Sequence, residues 1–296
     1  MALLSFAEDF SRFTVDTGEV SIHLAHAGEG EPLLLLHGYP QTHWIWHRVA
    51  PVLAERFHVI CPDLRGYGES SCPPEKPDHA GYAKKAMATD MIAVMDHFGY
   101  ASFAVAGHDR GARVAHRMAL DYPDRIKGVC VMDIAPTLHM FDHTDQAFAT
   151  GYYHWFFLIQ PDGLPEHMIG LDPDYYLAEK LRRWAGPGAQ FDPQAVAEYQ
   201  RSFRRPEVIH ASCEDYRAAA TIDLIHDRAD RNRQVEPPLL VLWGDKGFVH
   251  RTYDLLEVWQ GYANRVEGQP LPSGHFLPEE APDAVIPALQ QFLDSL

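Results

Sequence analysis

The sequence predicts an α/β fold: a mainly parallel, twisted sheet with helices on both faces, interrupted by an inserted helical segment. Three observations carry that expectation. Short apolar runs alternate with helical or turn-rich segments along the chain, one of those runs leads through a glycine-flanked turn straight into a helical pattern, and the strand signal vanishes between residues 137 and 235. Strands that alternate with helices imply parallel pairing, because each crossover between parallel neighbours returns along a covering helix.

The runs lie at residues 32–36, 57–61, 103–107, 128–133 and 239–243. Each is short and almost wholly apolar, as a strand buried on both faces must be. Apolar residues recur at helical spacing over 111–120, and a closing helix is expected over 282–293. Within the insertion, Pro161, Pro165, Pro173, Pro193 and Pro206 punctuate segments compatible with helices at 152–159, 175–184, 195–203 and 208–220. The expected organisation is therefore a discontinuous core, residues 1–136 and 236–296, carrying a helical cap at 137–235.

Composition narrows the function. A chain of 296 residues with 46% hydrophobic content can bury a large core. Its formal net charge of -16 argues against nucleic acid and anionic membrane surfaces, both of which need a basic face. An anionic substrate would have to be held by local cations. Cys61, Cys72, Cys130 and Cys213 form no C-x-x-C pair, and the first ten residues carry Glu8 and Asp9 where a secretory leader would be basic and then apolar. Reduced thiols in a cytoplasm are expected. No window approaches 18 consecutive apolar residues, so no membrane-spanning helix is expected.

The chemistry centres on Gly107-His108-Asp109-Arg110-Gly111, which has the form of the nucleophile elbow G-x-S-x-G with aspartate in the place of serine. Serine suits attack on an acyl carbon. A carboxylate, ionised at neutral pH, can instead attack a saturated carbon, displace a leaving group and become an alkyl ester. The two glycines remove side chains where strand and helix meet, and aspartate tolerates the positive φ of such a turn. An ordinary strand-to-helix turn that carries an aspartate is the plainer alternative.

Other residues fall in the order such a site needs, nucleophile, acid, histidine. His275, in Ser273-Gly274-His275, is the expected base. The acid has two candidates: Asp133 after the sixth strand, which position favours, and Asp245 in Gly244-Asp245-Lys246-Gly247, which reads more simply as a turn residue. The His37-Gly38-Tyr39-Pro40 turn supplies an expected oxyanion donor, the Tyr39 backbone N–H, paired with that of Arg110. A cis Tyr39-Pro40 bond is compatible with that role. The stretch 63–70 reads as a structural turn. Arg110 and Arg113, three apart on one helix face beside the nucleophile, can clamp a carboxylate, although a helical arginine is more often a salt-bridge partner. No metal-ligand cluster and no phosphate-binding glycine loop appears, so neither metal nor cofactor is expected.

On these residues the chain resembles the fluoroacetate (haloacetate) dehalogenases of the α/β-hydrolase superfamily, over essentially its whole length. The resemblance implies the α/β-hydrolase fold, a haloacid substrate, Asp109 as nucleophile, Arg110 and Arg113 as carboxylate ligands, Asp133 and His275 as acid and base, and His154, Trp155 and Tyr216 as a halide pocket. It also implies a homodimer. Read without the resemblance, the aromatic stretch 151–157 is as well explained by helix packing. Its rings nonetheless offer N–H and O–H donors suited to a small anion. Epoxide hydrolases share the aspartyl ester and activate the epoxide oxygen with two tyrosines, for which Tyr216 with Tyr152 or Tyr153 could serve, so that activity is the alternative.

Overall fold

The computed structural model describes residues 4–296. Met1, Ala2 and Leu3, which open the segment read above as unlike a secretory leader, lie outside the described residues. Eight strands form one sheet: β1 (Ser11–Asp16), β2 (Ser21–Ala27), β3 (Glu31–Leu36), β4 (Phe57–Pro62), β5 (Phe103–His108), β6 (Ile126–Met132), β7 (Leu239–Gly244) and β8 (Val266–Leu271). Their spatial order is β1-β2-β4-β3-β5-β6-β7-β8. The β1–β2 and β2–β4 pairs are antiparallel and the rest parallel.

The five apolar runs fall on β3 to β7, and β4, β5 and β7 are buried along their whole length. Strands β1, β2 and β8 went unpredicted because they sit toward the ends of the sheet, partly exposed, and β8 carries Pro270. An edge strand has no continuous apolar run to betray it.

Outside the insertion lie α1 (Ala50–Leu53), α2 (Lys84–His97) and α3 (Arg110–Asp121). Between β6 and β7 the chain forms α4 (Thr137–Asp142), α5 (Gln146–Gly151), α6 (His154–Phe157), α7 (Leu164–Gly170), α8 (Pro173–Trp184), α9 (Pro193–Phe203), α10 (Pro206–Ala220) and α11 (Ile222–Ala229). Then follow α12 (Phe248–Thr252), α13 (Leu255–Gln260), α14 (Leu277–Glu280) and α15 (Pro282–Asp294). Helices cover both faces of the sheet: α2 packs on α3, which lies across β5 and β6, while α1 meets α15.

The insertion holds more helices than periodicity alone indicated, since α4, α5, α7 and α11 are too short to display several turns. The expected helix at 152–159 shrinks to the single turn α6. Proline opens α7, α8, α9 and α10, where its missing N–H costs nothing, and Asp172 and Asp192 cap α8 and α9 by accepting backbone N–H bonds. After α11 the chain makes an isolated parallel bridge from Val235 to Ala263 and rejoins the sheet at β7.

Two features place the site. Strand β3 lies between β4 and β5, so successive crossovers diverge there and leave a crevice past the carboxyl ends of β3 and β5. A Cβ at Gly107 would sit 2.5 Å from the carbonyl carbon of Gly111, so only glycine lets α3 start so close to β5.

Candidate active site

Asp109 stands at the turn between β5 and α3 with φ 48°. Its carboxylate is buried, and its Oδ1 accepts the Tyr39 backbone N–H at 2.9 Å. That approach depends on Gly38, where a Cβ would meet the Cβ of Asp109 at 2.5 Å. The Tyr39-Pro40 bond is cis. Arg110 N–H, the other expected donor, belongs to the first turn of α3, whose amides have no helical acceptor. Burial raises the Asp109 pKa, but His275, and after it Arg110 and Arg113, outweigh it and hold the carboxyl below its ordinary value. The group is an ionised carboxylate.

His275 Nε2 lies 3.9 Å from Asp109 Oδ2. Its Nδ1 bonds Asp133 Oδ2 at 2.6 Å, and Asp133 Oδ1 accepts Gly244 N–H at 3.0 Å. Asp133 thus orients the imidazole through one oxygen and is itself fixed through the other. Asp245 is exposed, and its backbone N–H donates to Leu271 O at 2.9 Å, as a turn residue's would. Burial alone would lower the His275 pKa, yet the bond to Asp133 and the charges of Asp133 and Asp109 raise it overall. Behind it His108 bonds the His275 carbonyl through Nε2 at 2.7 Å, and burial pushes its own pKa down to about 3. His108 is therefore a neutral packing partner. The stretch 63–70 is structural as expected: Asp63 accepts the backbone N–H groups of His43 and Glu69, and Arg65 pairs with Asp90 at 2.6 Å.

Both arginines are buried beside the nucleophile. Arg110 grips Asp215 through Nε at 2.8 Å and Nη2 at 2.6 Å, leaving Nη1 without a partner. Arg113 donates from Nη1 to Ala135 O at 3.0 Å and to Thr137 Oγ1 at 2.9 Å, and its Nε is unpartnered. Arg110 is thus a salt-bridge partner, as a helical arginine often is, whereas Arg113 pairs with no carboxylate, and each keeps one buried donor free.

The three aromatic residues are brought together from two inserted helices, His154 and Trp155 from α6 and Tyr216 from α10. Tyr216 lies 5.5 Å from His154 and 6.3 Å from Trp155, ring to ring. His154 Nδ1, Trp155 Nε1 and Tyr216 OH are all buried without a hydrogen-bond partner. Buried polar atoms are rarely left so, and three close together point to a ligand that satisfies them. Burial, then Lys180, keeps His154 neutral, while burial and then Asp109 keep the Tyr216 phenol protonated. The guanidinium of Arg110 lies 4.3 Å from the Tyr216 ring centre, and that of Arg113 lies 4.8 Å from Trp155. The two arginines and the three aromatic residues thus form one packed unit.

Sequence reasoning missed several participants. Asp215 and Lys84 left no local signal, being separated from Arg110 by 105 and 26 positions. Trp184 at the end of α8 stands 4.5 Å from His154 and 5.5 Å from His275, ring to ring. A cleft of about 300 Å³ reaches His275 between Tyr152, Trp184 and Phe248. Among the described residues one grouping, Glu75, His210 and Glu214, has metal-ligand geometry, but Glu214 is already bonded to His79 and Arg217. The four cysteines are unpaired, and no helix of the described residues is long and apolar enough to cross a membrane.

Comparison with known proteins fits this geometry. A family model described as the alpha/beta hydrolase fold matches residues 31–282. A fluoroacetate dehalogenase from Burkholderia sp is 45% identical over 97% of this chain and 94% of its own length. This chain belongs to the fluoroacetate dehalogenase family of α/β hydrolases. A more distant α/β hydrolase, a soluble epoxide hydrolase from Corynebacterium sp. (strain C12), is 34% identical over 93% of this chain and 94% of its own. A solved structure from Nostoc sp PCC 7120, provisionally described as an α/β hydrolase, superposes with a TM-score of 0.96 at 57% identity, covering 97% of this chain and 99% of that one.

Proposed function

We propose that this chain hydrolyses the carbon–halogen bond of a haloacetate, fluoroacetate foremost, to glycolate and halide through an ester on Asp109. The observation that carries the reading is the grouping, around an ionised carboxylate, of two cations with free buried donors and three aromatic rings with free buried N–H and O–H groups. A haloacetate satisfies both sets at once. Its carboxylate takes Arg110 and Arg113, and its halogen takes His154, Trp155 and Tyr216. The kinship with a fluoroacetate dehalogenase supports the same assignment.

In the first step Oδ2 of Asp109 attacks the α-carbon, since Oδ1 is held by Tyr39 N–H. A C–O bond forms, and the carbon–halogen electron pair departs with the halide. Hydrogen bonds to a charged partner contribute about 1.5 to 3 kcal/mol each, so three that strengthen as charge develops lower the barrier by at most about 4.5 to 9 kcal/mol. Fluoride, a poor leaving group, needs that help most. In the second step His275 takes a proton from water, whose oxygen adds to the Asp109 carboxyl carbon. Tyr39 and Arg110 N–H groups hold the oxyanion. Collapse expels glycolate, which receives the proton from His275; one water oxygen stays in Asp109, whose carboxyl releases the water's second proton to solvent and returns to the carboxylate.

In this reading helices α4 to α11 serve as a cap domain that brings the halide donors over the core. The reduced thiols suit a cytoplasmic enzyme. The homodimer implied by the resemblance has an apolar stripe available, Leu164, Met168 and Leu171 on and beside α7 with Tyr175 on α8, all exposed.

The second reading, an epoxide hydrolase, draws support from the free Tyr216 hydroxyl, from buried Tyr152 and from the Corynebacterium relative. Fluoride release from fluoroacetate, measured beside diol formation from an aryl epoxide, separates the two. For the ester, His275→Ala is expected to release about one equivalent of halide per site and then stall as an Asp109 adduct visible by intact mass. Sustained turnover with no adduct sinks the scheme.

A further inference from the structure

Asp215 plays no part in the scheme above, yet it is fully buried and holds Arg110, Lys84 and Tyr67 at once. Its carboxylate accepts Arg110 Nε at 2.8 Å and Arg110 Nη2 at 2.6 Å, and its backbone carbonyl accepts Nη2 at 2.9 Å. Tyr67 OH donates to it at 2.8 Å, and the ammonium of buried Lys84 bonds its other oxygen. Such a fork-on-fork pairing fixes the guanidinium plane as well as its position. It occupies one edge, Nε and Nη2, and leaves Nη1 alone unpartnered.

The next residue on α10 is Tyr216, whose ring underlies the same guanidinium at 4.3 Å. One turn of an inserted helix therefore grips Arg110 from the edge through residue 215 and from the face through residue 216. Lys84, from α2 of the core, fastens that turn from beneath.

We propose that Asp215 is a positioning residue, which orients Arg110 so that Nη1 meets the substrate carboxylate. The proposal rests on the haloacetate reading. Geometry and net charge here oppose one another, which makes the role testable. Asp215→Asn releases Arg110 from its counter-ion, so by charge alone the site should hold a carboxylate more tightly. If orientation governs, binding weakens.

The test uses the full-length enzyme with acetate and bromide as competitive inhibitors of chloride release from chloroacetate. For Asp215→Asn we expect the acetate inhibition constant to rise roughly 10- to 100-fold, the span of a lost charge-assisted hydrogen bond. Bromide affinity should be unchanged or higher. Asp215→Glu, which keeps the charge, should recover part of the acetate affinity. Equal weakening of acetate and bromide would mark a merely structural residue, and unchanged or tighter acetate binding would overturn the role outright. Should Asp215→Asn fail to fold, Lys84→Met/Asp215→Asn removes a cation with the anion and is read in the same way. A wild-type protein that releases no halide from any haloacetate overturns the activity reading and this proposal with it, whereas wild-type activity with an insensitive variant overturns the positioning role alone.

Discussion

His275 is subject to opposing pulls whose balance changes during the proposed reaction. In the free enzyme its pKa stands above the ordinary value because the hydrogen bond to Asp133 and the pull of Asp133 and Asp109 outweigh burial. Esterification removes the charge on Asp109, 3.9 Å away, and with it one of those supports. The imidazole therefore becomes neutral more readily at the moment when it must accept a proton from water. Since neutral histidine is the active form, ester hydrolysis should fail as pH falls, with a midpoint below that of the His275 titration in the free enzyme. Rapid-quench measurement of ester breakdown against pH, compared with an NMR titration of the resting imidazole, checks this. Coincident midpoints would show that the charge on Asp109 has no such effect.

Contacts between elements carry a different pH signature. Helix α14 presents Glu279 to Tyr199 of α9, whose hydroxyl donates to it at 3.1 Å, and to the amide of Gln41 in the loop after β3. Arg48 fastens the same helix through the Glu279 carbonyl at 2.7 Å. Burial, helped by the charge of Glu280, pushes the Glu279 carboxyl up to about 8, against the pull of the Tyr199 and Gln41 hydrogen bonds. Between the ordinary value of 4.5 and about 8, the folded protein keeps a proton that the unfolded chain has lost. Stability must fall with rising pH across that window, because the unfolded state there binds fewer protons. Glu279→Gln, which preserves the shape without the charge, should match the parent Tm below the window and exceed it above. Parallel Tm profiles across pH would refute the assignment.

Taken as one charged body, the protein carries -16 and yet is assigned an anionic substrate. The cleft that reaches His275 resolves the conflict locally, for Arg183, Lys246 and Arg251 line it and no carboxylate does. Arg183 is partly neutralised by Glu179 at 3.0 Å. Charges at the mouth raise the local concentration of an anion, and salt screens them over about 10 Å at 0.1 M. The kcat/KM for a haloacetate should therefore fall several-fold between low and high ionic strength. Lys246→Glu/Arg251→Glu should lower it at low salt and flatten the dependence. A salt-independent wild-type value would remove the mouth from the account.

The local pattern of the chain pointed to Asp109, His275 and the Tyr39 turn, since a strand, a glycine-flanked turn and a helix are written in a few neighbouring residues. Between Asp133 and Asp245 it could only favour one by position, and the fold sets Asp133 on His275. The same pattern was enough for strands β3 to β7, whose continuous apolar character follows from burial on both faces. The edge strands and the shortest inserted helices were hidden, since half-exposed or single-turn elements leave no period to read. What folding alone decided is the partnership of distant groups: Asp215 on Arg110, Lys84 beneath Asp215, Trp184 between His275 and His154. Those pairings depend on which helix faces meet across the crevice. A side chain's neighbours in space are fixed by packing and charge balance over the whole chain, and no local window contains them.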